Sequence, residues 1–244
     1  MRILRAGSVS CLTLLFSLQT AAGAAPAGAP AKGDAQAVQL LQKAQIAMGG
    51  ADKLAAIKDT TQTLTVKLEP PFQKHSITQT IRFIPPSQIR QEQDGTMGKM
   101  IVHSNGYSGE KTTKHGTSPL KLDGITASQG VILRQLCTLM LSDRDPSRTV
   151  KSVGPSAVEI ASGGQKVKVE FDPKTGLPVK QIYAVPVDGR SVMRTETLSD
   201  WRQVNGVRLP FHGVQVDEGI KIMEFTVSAY KINTGLTWAD LSKR

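Results

Sequence analysis

Apolar and polar residues alternate through most of the chain from residue 60 onward, and this period of two constrains the fold more than any other feature. In one run, Leu64, Val66 and Leu68 alternate with polar neighbours, as in a strand with one buried face. Pairs such as Asn105-Gly106 and Asn205-Gly206 separate successive runs and favour tight hairpin turns. Such links are too short for parallel crossovers, so the pattern predicts an antiparallel meander of roughly a dozen strands.

A first helix is predicted before the strands. Asp34 is a suitable N-cap, and Gly49-Gly50 marks the end of the helix. The apolar residues between them recur at helical spacing and form one face, which consists of Val38, Leu41, Ala44 and Met48. A short helical turn over 52–57 is predicted to follow.

A second helix is predicted over residues 127–142, with a capping-box sequence from Thr126 to Gln129. Its main apolar face consists of Ile132, Leu133, Leu136, Cys137 and Met140, and further apolar residues extend this face around most of the helix. A helix that is apolar on most sides is either buried in a core or faces a hydrophobic cavity. Asp143 and Asp145 follow the helix, and we expect both to lie in a solvated loop.

Together these patterns predict an α+β fold with one large antiparallel sheet and segregated helices in a single domain. A curved sheet with the second helix across its concave side can enclose a hydrophobic cavity. A core filled by side chains is the alternative that the pattern alone leaves open.

The start of the chain has the features of a secretory signal peptide. Two arginines precede a short apolar run from Val9 to Leu18, and Ala22-Gly23-Ala24 provides an A-x-A exit. The run is shorter than the ~20 residues that span a bilayer, which disfavours a membrane anchor. We therefore predict a signal peptide (1–24), a flexible leader (25–35) and one folded domain (36–244), exported to a bacterial periplasm.

The chain is basic, with 30 Lys and Arg against 20 Asp and Glu. The excess is concentrated in residues 72–151, which hold eleven basic residues against six acidic ones. We interpret these charges as solvated strand faces, and the alternative is a surface that attracts lipid headgroups or a membrane-associated acidic partner. No basic cluster is interleaved with aromatic residues, so we expect no nucleic-acid partner.

No catalytic or metal-binding motif is complete in the sequence. The four histidines do not form H-E-x-x-H, and the sequence around Ser108 departs from G-x-S-x-G because Glu110 occupies the last position. Cys137 lies in an apolar stretch and is predicted to be a small buried hydrophobe. The sequence therefore predicts a protein that is not an enzyme and has no metal or cofactor. A catalytic site assembled from distant residues is the alternative.

Four short segments, taken together, are similar to the LolA-like superfamily of periplasmic lipoprotein carriers and sorting proteins. They are Ala47–Ile57 (AMGGADKLAAI), Phe171–Val179 (FDPKTGLPV), Asp200–Phe211 (DWRQVNGVRLPF) and Tyr230–Asn233 (YKIN). The third segment is the most specific, and the four occur in the expected order.

This resemblance implies an open half-barrel of about eleven antiparallel strands with helices on its concave side. It also implies a cavity that holds acyl chains of lipoproteins or phospholipid-like ligands, in a carrier without catalytic residues. We expect this carrier to be a monomer. The hydropathy pattern, and not the resemblance, supplies the cavity candidates, which are Val38, Leu41, Leu64, Val66, Ile132, Leu133, Leu136 and Met140. A periplasmic sensor or interaction domain of the same fold is the first alternative, and an envelope hydrolase is the second.

Overall fold

The computed structural model of the chain describes residues 33–70, 75–95, 98–187 and 189–243. The predicted signal peptide and most of the predicted leader lie outside these residues. The described residues form one antiparallel sheet of thirteen strands with five short helices. The strands are β1 (Thr60–Leu68), β2 (Ser76–Ile84), β3 (Gln88–Asp94), β4 (Met100–Ser104), β5 (Gly109–Thr113), β6 (Gly116–Pro119), β7 (Thr149–Gly154), β8 (Ala157–Ser162), β9 (Gln165–Phe171), β10 (Pro178–Val187), β11 (Arg190–Val204), β12 (Val207–Asp217) and β13 (Ile220–Ile232). The helices are α1 (Ala35–Ala47), α2 (Ala51–Ala55), α3 (Leu122–Leu133), α4 (Leu136–Leu139) and α5 (Trp238–Ser242), and a 3-10 turn covers Ser142–Arg144.

The sheet consists of two meanders that meet along one seam. Strands β1 to β6 follow one another across one half, and β7 to β13 follow one another across the other. The last strand, β13, pairs with β1, so the two meanders form one curved sheet that is not closed. The predicted α+β class and open antiparallel sheet are confirmed. The resemblance implied about eleven strands, and the thirteen observed include β6, whose exposed residues carry no apolar alternation.

Helix α1 follows its sequence signals closely. Asp34 caps it by accepting a hydrogen bond from the Ala37 N–H (2.7 Å), as predicted. The helix ends before Gly49, whose φ is +115° and where a Cβ would lie 2.3 Å from the Gly206 carbonyl oxygen. Both the left-handed backbone and this close approach require glycine. The chain can therefore turn at Gly49 into α2 while the end of α1 packs against the β11–β12 hairpin.

The predicted second helix is wrong in its bounds. Helix α3 begins at Leu122, and the capping-box sequence lies inside it, where Ser128 Oγ donates to the Gly124 carbonyl (2.9 Å). The helix is interrupted at Arg134 and Gln135, and α4 continues from Leu136. The interruption leaves the Arg134 carbonyl without a helical partner, and this carbonyl instead accepts a hydrogen bond from the side-chain amide of Gln181 on β10 (3.4 Å).

Helices α1 to α4 lie on the concave face of the sheet, whereas α5 lies on the other face, where Arg90 of β3 donates to the Leu241 carbonyl (2.8 Å). Helix α3 contacts β3 on one half and β9 and β10 on the other, which a single helix can do only by crossing the inside of the curve. Helix α1 packs against β7 and β8. The main apolar core fills this half between α1, α3, α4 and strands β7 to β10, and a second cluster lies on β1 and β11 to β13. Within the described ranges, no helix has the length and apolar character needed to cross a membrane.

Asp143 is not in a solvated loop, so this prediction is wrong. Only 8% of the residue is exposed, and its Oδ1 accepts a hydrogen bond from the Gln45 amide on α1 (2.7 Å). The same amide nitrogen also donates to the Met140 carbonyl (2.8 Å). Gln45 thus joins α1 to the segment after α4, and this contact is not visible in a local pattern. Cys137 is buried as predicted, and burial raises the pKa of its thiol to about 11.

Candidate ligand cavity

A cavity of about 300 Å³ lies between the concave face of the sheet and the α3–α4 segment. Leu136, Ile81 and Tyr230 border it and pack against both apolar clusters, so the cavity occupies the space where the two clusters separate. Its volume is at the lower end of the range for small-molecule sites. The concave side is therefore not completely filled by side chains.

One part of the cavity wall is apolar. On β1 and β13, Val66 and Phe225 lie directly opposite each other in the ladder, and Leu64 and Leu198 extend the surface. Leu136, the first residue of α4, lines the cavity from the helix side. The four strand residues belong to inward-facing rows, because alternate residues of a strand point to the same face.

The wall on β1 to β3 is rich in glutamine. Gln79 and Gln93 lie directly opposite each other on β2 and β3, and Gln91 occupies the position opposite Ile81. Gln62 on β1 also lies opposite Ile81, on the other side of β2. Glutamine and apolar side chains thus alternate across three neighbouring strands on the cavity face.

The wall on β10 to β12 carries charged and polar groups. The Arg134 guanidinium stacks on the Tyr183 ring, with Cζ 3.7 Å from the ring centroid. The Tyr183 hydroxyl donates to Glu196 Oε2 (3.0 Å), which also accepts from Gln215 Nε2 (2.7 Å). Burial, followed by the negative charge of Glu196, raises the pKa of Tyr183, so this hydroxyl remains a donor at neutral pH.

A bidentate ion pair supports this polar wall. Arg194 and Asp217 lie opposite each other on β11 and β12, with two nitrogen–oxygen contacts of 2.7 and 2.8 Å. Burial lowers the pKa of Arg194, but the bond to Asp217 and the nearby acidic groups outweigh burial and leave the pKa raised. Arg194 stays charged and fixes the strand segment from which Glu196 faces the cavity.

Three of the eight predicted cavity residues line the cavity, and five do not. Leu64, Val66 and Leu136 line the cavity. Leu41, Ile132, Leu133 and Met140 are instead buried in the main core cluster. Val38 is half-buried on α1 near Gly33. The hydropathy pattern selected apolar residues and missed the polar wall, although the glutamines of β1 to β3 occupy the inward positions of the alternation.

The outer face of the sheet carries a linear arrangement of Ser199, His212 and Glu224. Ser199 Oγ lies 2.9 Å from His212 Nδ1, and His212 Nε2 lies 2.9 Å from Glu224 Oε1. Lys221 Nζ contacts the other oxygen of this carboxylate (2.6 Å), and hydrogen bonds from Lys221 and then His212 lower the Glu224 pKa to about 2. The order of groups is that of a nucleophile, a base and an orienting carboxylate. Only strand pairing brings them together, so sequence spacing could not reveal them.

A second cavity, of about 620 Å³, lies at the ends of β1 to β5. Leu68, Ile77 and Met100 form its apolar part, and Lys99 and Lys114 lie at its edge. Part of the basic excess of residues 72–151 is therefore located here. Among the residues that the structure describes, no group of three His, Cys, Asp or Glu side chains is placed to hold a metal ion.

The sheet is thus an open half-barrel, with a broken helix and a cavity of mixed polarity on its concave face. Solved structures with the same fold identify the type. A LolA superfamily protein from Nitrosomonas europaea matches with a TM-score of 0.58 at 12% identity, over 85% of this chain and 97% of that protein. An outer membrane lipoprotein-sorting protein domain from Vibrio parahaemolyticus matches with a TM-score of 0.54 at 11% identity, over 84% and 96%.

A DUF1329 family protein from Desulfovibrio piger also matches, with a TM-score of 0.53 at 10% identity, over 83% of this chain and 96% of that protein. No protein-family model matches the sequence, and no curated protein matches it. The fold is therefore LolA-like, as the sequence segments predicted, and at these identities the likeness extends to the fold alone.

Proposed function

We propose that this protein is a non-catalytic carrier that binds the acyl chain of an envelope lipoprotein or lipid in the cavity under α3 and α4. The apolar part of that cavity, formed by Leu64, Val66, Leu136, Leu198 and Phe225, is the observation that carries the proposal. The matching domain from Vibrio parahaemolyticus is described as a lipoprotein-sorting domain, which supports the same ligand class. The predicted signal peptide supports a periplasmic location, and we propose a monomer.

The energetics of the cavity suit a carrier. Each buried methylene contributes ~0.8 kcal/mol, so ten methylenes contribute roughly 8 kcal/mol. Ordering of the ligand and loss of its free motion offset several kcal/mol of this gain. The net affinity then permits both capture and release. Release requires a displacement of α4, which is only four residues long, or a partner with a better apolar fit.

Native mass spectrometry of the mature protein tests the proposal. The protein is incubated with 1-lauroylglycerol and with an N-terminally acylated peptide, and we expect one adduct per monomer for each. Leu136→Trp should abolish the adducts because the larger ring fills the cavity from α4. Leu122→Trp is the matched control, since Leu122 is 76% exposed on α3 and should leave binding unchanged.

Two results would contradict the carrier. A wild-type protein that stays free of adducts would mean that the cavity does not accept acyl chains, and an interaction domain would then be favoured. Adducts that persist in Leu136→Trp, with a thermal transition like that of the wild type, would place the ligand elsewhere.

The second candidate function, a serine hydrolase, is favoured by one observation, the contacts of Ser199 with His212 and of His212 with Glu224. Neither of the two cavities described above includes any of the three residues. A fluorophosphonate probe decides between the two functions, because it labels an activated serine. Labelling that is lost in Ser199→Ala would favour the hydrolase, and we expect no labelling.

A further inference from the structure

The cavity is more polar than an acyl chain requires. Gln62, Gln79, Gln91 and Gln93 are half-buried on its β1 to β3 wall, and their side-chain amides make no hydrogen bond to other described residues. A polar group that loses water without gaining a partner destabilises the bound state. A purely apolar ligand against this wall would desolvate these amides and leave them unpaired.

Gln215 provides a second, independent indication. Its Nε2 donates to Glu196, but its Oε1 is buried without a hydrogen-bond partner among the described residues. Buried polar atoms are normally paired with protein, water or ligand. The acceptor lies in a side chain that lines the cavity, so a ligand with a donor group, or a water that it carries, would satisfy it.

Arg134 is the charged group best placed to hold a ligand. It lines the cavity at the α3–α4 interruption and is held by stacking on Tyr183, which leaves the guanidinium edge to form hydrogen bonds. Among the described residues, no carboxylate lies within ion-pair distance of it. A guanidinium in such a position is suited to a carboxylate or phosphate group.

The other charges near the cavity are engaged. Glu196 accepts hydrogen bonds from Tyr183 and Gln215, and Arg194 is paired with Asp217. Arg134 therefore differs from Arg194 in having no anionic partner within the described protein.

We infer that the cavity holds the polar group of its ligand as well as the acyl chain, and that Arg134 binds an anionic carboxylate or phosphate at the end of a single chain. The apolar wall takes the chain, and the glutamine wall together with Gln215 takes the remaining polar atoms. This inference rests on the proposed carrier function and deepens it, because it specifies a single-chain anionic amphiphile that enters with its polar group.

Calorimetric titration with matched twelve-carbon ligands tests the inference. The probes are dodecanoate, dodecyl phosphate and the neutral 1-lauroylglycerol, each used below its micelle concentration. We expect the two anions to bind about tenfold more tightly than the neutral ligand, which corresponds to about 1.4 kcal/mol. Comparison of the carboxylate with the phosphate shows which of the two anions is preferred.

Arg134→Gln should remove the preference for the anions and leave the affinity for 1-lauroylglycerol within about twofold. Arg190→Gln is the matched control, because Arg190 is exposed at the start of β11. In a second variant, Gln79→Leu with Gln93→Leu should weaken binding of all three ligands, since each carries a polar group.

The outcomes separate the two proposals. Equal affinity of the wild type for anionic and neutral ligands, unchanged in Arg134→Gln, would overturn the anion assignment and leave the carrier intact. Tighter binding after the two leucine substitutions would show that only the chain enters the cavity. Absence of binding by all three ligands would overturn the carrier and the present inference together.

Discussion

Two buried carboxylates, Asp59 and Asp143, show how neighbouring groups decide the effect of a charge on stability. Burial raises the pKa of Asp59, but hydrogen bonds from Thr234, Gly235 and Leu236 outweigh burial and leave the pKa lowered. Asp143 receives the Gln45 amide, and here burial prevails, so its pKa is raised. Asp59 thus stabilises the fold in its ionised form and fastens the segment after β13, whereas ionised Asp143 destabilises it.

Asp143→Asn should stabilise the protein at neutral pH. Because the pKa of Asp143 is raised in the folded protein, its ionisation lowers the free energy of unfolding at pH values above that pKa. This destabilisation disappears once the pH falls below 3.8, the ordinary pKa of an aspartate. The neutral amide removes the destabilisation and can still accept from Gln45. We expect the melting temperature to rise by about 2 °C at pH 7, which corresponds to roughly 0.5–1 kcal/mol for a domain of this size.

Thermal unfolding followed by circular dichroism at several pH values checks this prediction. The gain of Asp143→Asn over the wild type should shrink as the pH falls through the native pKa of Asp143. Asp123→Asn, at an exposed position on α3, should show no gain at any pH. A destabilised Asp143→Asn at pH 7 would mean that the Gln45 contact depends on the charge.

At the scale of elements, the interruption between α3 and α4 creates the cavity border. An uninterrupted helix over 122–139 would continue the direction of α3, whereas the extended backbone of Gln135 (ψ 110°) redirects the chain. Leu136 and Cys137 line the cavity as a result. The short α4 is therefore the element whose position we expect to respond to a ligand.

Alkylation of Cys137 should report the position of α4. The thiol is 5% exposed and its pKa is raised to about 11, so reaction with a maleimide at pH 7.5 should be slow and limited by opening of α4. A bound amphiphile should slow it further, by about fivefold or more at saturation, because opening then competes with binding. The measurement is the labelling rate by mass spectrometry with and without dodecanoate and 1-lauroylglycerol, and fast labelling of the native protein would contradict a closed α4.

At the scale of the whole molecule, the sequence predicted what depends on neighbouring residues. Alternation and glycine turns specify the strands of each meander, and Asp34 and Gly49 specify the ends of α1. The seam between β1 and β13 joins residues more than 150 positions apart, and local periodicity contains no information about it. The sequence could therefore predict that a cavity lies on the concave face. It could not predict the pairing of Glu196 with Gln215 or the stacking of Arg134 on Tyr183, because these contacts join distant parts of the chain.

The two meanders should unfold together. Helix α1 precedes the first meander in sequence but packs on β7 and β8 of the second. Helix α3 contacts both meanders, and β1 of the first pairs with β13 of the second. Neither meander therefore retains its core without the other. The two tryptophans test this, because Trp201 lies on β11 and Trp238 packs edge-on against His103 of β4, with ring centroids 5.7 Å apart. Trp238→Phe and Trp201→Phe each leave a single tryptophan, whose fluorescence follows unfolding in urea. Circular dichroism of each variant gives the effect of its substitution on the free energy of unfolding. After correction for this effect, the two fluorescence transitions should have the same midpoint and the same slope. Separate fluorescence transitions, one coinciding with partial loss of the circular dichroism signal, would instead show that each meander is a folding unit with its own core.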